Sequence, residues 1–177
     1  DNTKSAQENL AKPVYGLILQ LLAQQGVSHE RLLSWCESLD AYYACYAGRQ
    51  KNESGLYVWA NDVAIGTDDD PTGYGRPPFS SASMLLNSFL YADLRAAQAV
   101  AEQAGDPVRA KKWAEQATDI AEAINTYCWD SRDGFFYTAD VSCAHRTRPH
   151  RHFGKLHENL EPFWKCLPLK ILYWTGF

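Results

Sequence analysis

The sequence lacks an apolar run near the ~20 residues of a membrane-spanning helix, so we expect no contact with the membrane. It also lacks an excess of positive charge. The net charge is −4 and the pI is about 5.7, which argues against nucleic acid as a partner. The five cysteines are an odd number without a CxxC pair, so we expect no disulfide framework. The N-terminus is polar and shows no secretory signal, so we expect a cytoplasmic location, which is a reducing compartment.

What the sequence contains is helical periodicity. Apolar residues recur at helical spacing in four segments, residues 13–25, 28–47, 81–104 and 107–127. Gly26, Gly48 and Gly105 follow three of these segments and predict their ends. Asp106 and Pro107 predict a capped helix start, since Asp suits the N-cap and Pro the first helical position.

The remaining segments are short and irregular. Residues 55–59 predict a short strand or an extended arm, and residues 128–137 predict a tight turn at an Asp-Gly pair. An apolar tail near residue 177 is typical of a helix that is beginning. We therefore predict an all-α fold with about five helices, and we expect residues 1–177 to form one domain.

Three consecutive carboxylates, Asp68, Asp69 and Asp70, stand between Gly66 and Pro71. Gly and Pro exclude a helix interior here, so the stretch is a long loop between helical halves. A solvated acidic turn is one interpretation. A metal site is a weaker one, because the Asp-x-Asp-x-Asp-Gly ladder of calcium loops is missing.

The third interpretation is the acid of a hydrolase. That role needs one aspartate in a partly apolar pocket, where desolvation raises its pKa so that it keeps a proton near neutral pH. Tyr57, Trp59 and Tyr74 lie close enough in the sequence to form an aromatic wall for such a pocket.

Several motifs then occur in one order. They are residues 12–14, 55–59, 66–71, 74–77, 85–87, 129–137 and 164–169. Together they resemble the catalytic domain of glycoside hydrolase family sixty-three and its relatives, the bacterial α-glucosidases and the mannosylglycerate and glucosylglycerate hydrolases. The signature there is Gly, one residue, Asp, two residues and Pro, and Asp68 fills the Asp position. The resemblance covers most of residues 11–177.

The resemblance implies part of an (α/α)6 barrel, or six-hairpin glycosidase, that inverts the anomeric centre of an α-glucoside, an α-mannoside or an oligosaccharide. Asp68 would be the general acid, and neither a cofactor nor a metal is implied. The residues expected to contact the sugar are Tyr57, Trp59, Tyr74, Arg76 and Asn87. Two of these residues also have a structural interpretation. Arg76 would hold a sugar hydroxyl or an acid group, or it would staple the loop by an ion pair with one of the three aspartates. Asn87 would orient the loop or contact substrate, or it would cap a backbone group near the helix start.

The sequence also departs from that family. The base is a late glutamate, and Glu158 and Glu161 do not match its motif, so we expect this chain to lack the base and to be inactive alone. The alternative function is a non-catalytic helical scaffold or a carbohydrate-binding remnant. Residues 144–160, with four histidines, are unlike their flanks and match no standard zinc spacing. We also expect exposed barrel faces to favour self-association.

Overall fold

The computed structural model describes residues 10–61, 64 and 76–141. These residues contain four named helices, α1 (Tyr15–Ala23), α2 (His29–Gln50), α3 (Met84–Gln103) and α4 (Pro107–Tyr127). They also contain two antiparallel pairs of two-residue strands. β1 (Ser81–Ala82) pairs with β4 (Ala139–Asp140), and β2 (Trp129–Asp130) pairs with β3 (Phe135–Phe136). The all-α prediction is confirmed, while the helix expected near the C-terminus lies outside the described residues.

Local signals explain two of the four helix starts in the described residues. Asp106 caps α4 because its Oδ1 accepts from the backbone N–H of Arg109 at 3.0 Å, and Ser83 caps α3 by accepting from Leu85 N–H at 3.2 Å. The prediction that α2 ends at Gly48 was wrong, since the helix continues to Gln50. A glycine costs an exposed helix only about 1 kcal/mol, and the burial of Tyr46 and Gln50 holds the last turn in place.

The core is built around α3, which packs against each of the other three helices. One side of α3 is fully covered, and α4 adds the buried Trp113, whose ring meets the Tyr43 ring of α2 edge-on at 5.7 Å. Much of the α3–α4 interface consists of alanines, which allow the two backbones to approach closely. The buried α3 residues include Leu86, Leu90, Leu94, Ala97 and Ala101.

A buried carboxylate joins three of the helices. Asp93 of α3 accepts from the backbone N–H of Leu17 at 2.9 Å and from the hydroxyl of Tyr43 at 2.7 Å. Because Val14 provides no side-chain cap for α1, Asp93 satisfies part of that helix start from a neighbouring helix. Burial raises the pKa of Asp93, and the donated hydrogen bonds oppose this rise. A Cβ on Gly16 would lie 2.3 Å from the Asp93 carbonyl oxygen, so only glycine fits there.

One face of α1 stays open to solvent. Its exposed side chains are large and apolar, namely Tyr15, Ile18, Leu21 and Leu22. Such a patch is a common site of protein contact, so self-association stays a prediction that this face supports. Among the helices of the described residues, none combines the length and the apolar character that a membrane crossing requires.

Candidate functional site

Three short backbone segments lie side by side where the acidic loop joins the helices. We call residues 57–61, 79–82 and 139–141 the loop platform. The backbone N–H of Trp59 donates to the Ser81 carbonyl at 3.1 Å, and Phe79 N–H donates to the Trp59 carbonyl at 3.1 Å. On the other side, Val141 N–H donates to the Ser80 carbonyl at 2.9 Å, beside the β1–β4 pair. The middle segment is therefore bonded on both sides.

This platform holds both ends of the acidic loop. The described chain leaves the platform through Asn61, whose side-chain oxygen accepts from Ala64 N–H at 3.0 Å, and it resumes at Arg76. The predicted acid Asp68 and the predicted sugar-binding residue Tyr74 lie between these points, outside the described residues. The two ends of the loop are attached to the same hydrogen-bonded platform, so we expect them to move together.

Asn87 of α3 fixes the first segment of the platform. Its side-chain oxygen accepts from Tyr57 N–H at 2.8 Å, and its Nδ2 donates to the carbonyls of Tyr57 at 2.9 Å and Ser83 at 2.8 Å. With 0% of its surface exposed, the amide acts as a substitute strand partner for Tyr57. The structure shows Asn87 satisfying backbone groups beside the start of α3, whereas a role in orienting the acidic loop and a substrate contact stay predictions.

The predicted aromatic residues Tyr57 and Trp59 are both buried, with 4% and 3% of their surface exposed. Burial, together with the negative charge of Asp119, raises the pKa of Tyr57 to about 12, so its phenol keeps its proton near neutral pH. The indole N–H of Trp59 has no hydrogen-bond partner in the described part of the chain, and neither do the two amide atoms of Gln50. The indole N–H of the core residue Trp113 is likewise buried without a described partner, so this feature does not by itself mark Trp59 as a ligand contact.

Arg76 lies at the point where the described chain resumes. Its Nη1 donates to Oδ2 of Asp140 in β4 at 2.7 Å, and both side chains are about three-quarters buried. This ion pair ties the end of the acidic loop to the third segment of the platform. The structure shows an ion pair of Arg76, but its described partner is Asp140 and not one of the three aspartates that the sequence predicted. A sugar contact by Arg76 stays a prediction.

The sequence reasoning missed two residues of the platform. Asp140 gave no signal, because its partner is far away in the chain. Phe79 had a signal that was overlooked, since the pair Pro77-Pro78 predicts a turn and thus an unusual backbone angle in the residues that follow. Phe79 has φ of +59° and 44% of its surface exposed.

The described residues offer little for a metal. Within residues 10–61, 64 and 76–141, no group of three or more His, Cys, Asp or Glu side chains is close enough to hold an ion. The four-histidine stretch, residues 144–160, lies outside the description. What the platform offers to solvent is the aromatic ring of Phe79, a group that can pack against the apolar face of a polar molecule.

The comparisons with known proteins agree with a glycosidase-like fold. Residues 3–156 match a family model described as the mannosylglycerate hydrolase MGH1-like glycoside hydrolase domain. The structure is also similar to a solved structure of a sialidase, with a TM-score of 0.56 and 22% sequence identity. That match covers 65% of this chain and 10% of the sialidase, so this chain spans a small part of the relative's length. No curated protein sequence matches the chain.

Proposed function

Since the chain belongs to the MGH1-like glycoside hydrolase domain family, we propose that it takes part in hydrolysis of an α-glucosidic or α-mannosidic bond. Asp68 supplies the proton to the leaving oxygen. The observation that carries the proposal is the position of the acidic loop within the matched residues 3–156. The loop platform supports it, because hydrogen bonds and an ion pair anchor the described chain on both sides of that loop, near Asn61 and at Arg76.

The proposed reaction inverts the anomeric carbon. Asp68 protonates the glycosidic oxygen while a second carboxylate, which residues 1–177 are expected to lack, activates a water on the opposite face of the sugar, at a carboxyl separation of ~6.5–9.5 Å. Trp59 contributes an aromatic wall to the proposed site. Tyr57, Tyr74, Arg76 and Asn87 complete the proposed sugar site, with Asn87 and Arg76 acting through the backbone and the ion pair described above.

Because residues 1–177 are expected to lack the base, the test uses a full-length version with a restored barrel and compares it with its Asp68→Asn variant on two α-glucosides. Methyl α-glucoside needs a proton on its leaving oxygen, whereas α-glucosyl fluoride releases fluoride without one. Loss of a general acid costs about 10²–10⁴ in rate, so we expect that loss on the methyl glucoside and a much smaller loss on the fluoride. The matched control is Asp69→Asn, an adjacent carboxylate of the same loop, which should retain most of the turnover.

Two outcomes would overturn the assignment. Undiminished turnover of methyl α-glucoside by Asp68→Asn would remove Asp68 from the mechanism, and an equal loss on both substrates would remove its proton-donor role. The anomer released first, followed by NMR, tests inversion, because an inverting enzyme yields β-glucose from an α-glucoside. Sugar binding by the unmodified chain without turnover would support the carbohydrate-binding alternative.

A further inference from the structure

Phe79 combines a strained backbone with a partly exposed apolar side chain. Its φ of +59° lies in the left-handed region, where a bulky side chain crowds its own backbone and where Gly is the preferred residue. Phe79 is 44% exposed, so its burial contributes only part of what a fully buried phenylalanine contributes. Glycine at this position would relieve the backbone strain and lose this partial burial.

The surrounding bonds hold Phe79 in this conformation. Its backbone N–H donates to the Trp59 carbonyl, and Ser80 closes the preceding turn through its N–H and hydroxyl, which both donate to the Pro77 carbonyl at 3.3 and 2.7 Å. The ring is therefore presented from a rigid backbone rather than from a free loop. Strain that the neighbouring structure maintains is frequent at ligand-binding sites.

Phe79 also lies beside both ends of the acidic loop. It follows Arg76, where the described chain resumes, by three residues, and it is bonded to Trp59, two residues before Asn61. A sugar ring has one face covered with C–H groups, and these groups pack on the electron-rich face of an aromatic ring. An exposed ring on a rigid backbone loses little freedom when a sugar stacks on it.

The charged residues near Phe79 further restrict the class of substrate. Residues 61–75 contain four aspartates and neither Lys nor Arg, and the nearby cation Arg76 is already paired with Asp140. A substrate whose leaving group carries a carboxylate would meet repulsion here with no free arginine in the described platform to balance it. A neutral second sugar ring meets the Phe79 ring without this cost.

We propose that Phe79 is a substrate-binding residue that stacks on a second, neutral sugar ring, so that the substrate is an α-linked disaccharide or longer saccharide. This inference rests on the proposed function. It predicts that neutral disaccharides bind more tightly than single-ring glycosides and than glycosides of glyceric acid.

The test measures binding to the full chain by calorimetry, with maltose and α-mannobiose as neutral probes and mannosylglycerate as the acidic probe. We expect Phe79→Gly to bind the preferred disaccharide about tenfold more weakly while its melting temperature changes little, because relief of the backbone strain offsets the lost burial. Phe79→Tyr keeps an aromatic face and should bind within about twofold of the original. A loss of affinity without a matching loss of stability separates a ligand contact from a packing role.

Each result decides the inference. Equal affinity of Phe79→Gly and the original protein would overturn it, as would tighter binding of mannosylglycerate than of either disaccharide, or no binding of any probe. Its failure is distinguishable from failure of the proposed function. Disaccharide binding that depends on Phe79, combined with turnover that is unaffected by Asp68→Asn, would remove the acid and keep the stacking residue.

Discussion

The sharpest stability prediction concerns Asn87, whose side chain replaces a missing strand next to Tyr57. Tyr57 and Lys51 face each other in an isolated antiparallel bridge, and the hydrogen bonds of that bridge come from the flanking residues, Val58 N–H to Gln50 and Asn52 N–H to Leu56. The N–H and carbonyl of Tyr57 therefore point away from the bridge. Both are satisfied by the Asn87 amide.

Asn87→Ala would leave these two buried backbone groups without a partner. An unsatisfied buried group costs about 1–3 kcal/mol, so two cost about 2–6 kcal/mol, and the better helix propensity of Ala offsets about 0.5 kcal/mol. The Ser83 carbonyl keeps a partner, because it also accepts from Asn87 N–H at 3.1 Å. We expect the free energy of unfolding to fall by about 3 kcal/mol, which lowers the melting temperature by about 6–12 °C.

Urea denaturation followed by circular dichroism, at several protein concentrations, measures this loss. The matched control is Thr118→Ala on the exposed side of α4, which also removes a side-chain hydrogen bond to the backbone, here to Ala114 at 2.9 Å, yet should stay within about 0.5 kcal/mol. Asn87→Asp keeps the acceptor and loses the donor, so it should resemble Ala when ionised and recover stability in acid. A loss below about 1 kcal/mol for Asn87→Ala would refute the reasoning, because it would mean that Tyr57 finds other partners.

Three further predictions follow from the described residues. Gly16→Ala should destabilise the protein by at least about 2 kcal/mol, because the new Cβ would clash with the Asp93 carbonyl oxygen. Gly48→Ala has open space around it and should stabilise the protein by about 0.5–1 kcal/mol. Thermal melts compare the two variants. The pKa of Asp93 is raised in the folded protein. The contribution of Asp93 to stability is therefore fully present below its unfolded pKa and is lost as pH rises through its folded pKa. Urea titrations at several pH values should show this fall in the free energy of unfolding, and Asp93→Asn should abolish it. A thiol reagent should modify the exposed Cys45 quickly and Cys128 only after unfolding, because burial raises the pKa of Cys128 to about 12; a fast reaction at both would contradict the burial of Cys128.

Features that arise from neighbouring residues were predictable from the sequence. The Asp106-Pro107 helix start and the Asp-Gly turn before β3 both depend on backbone preferences that act over a few residues. The structure confirms both, with Gly134 at φ of +62° in the turn. The apolar periodicity of α3 and α4 predicted their buried sides for the same reason.

Features that depend on distant residues were not predictable. The contact of Asp93 with Leu17 spans 76 residues, and that of Arg76 with Asp140 spans 64. A charged residue within an apolar periodic pattern gives no indication of which distant group will pair with it. The end of α2 at Gln50 is a further example, because burial of the last turn outweighs the local signal of Gly48.

The distribution of these exceptions bears on function. Among the described residues that are not glycine, only Phe79, in the platform, has a positive φ. Unpaired buried polar atoms do not set the platform apart, because Trp59 shares this feature with residues of α2, α3 and α4. Proteins tolerate backbone strain mainly where binding or catalysis recovers its cost. In a platform that served only to connect helices, Phe79→Gly would relieve this strain and lose only the buried part of the ring. The strained backbone of Phe79 and its proposed sugar contact are therefore connected. The strain lowers stability, and it holds the ring in a fixed position beside the acidic loop.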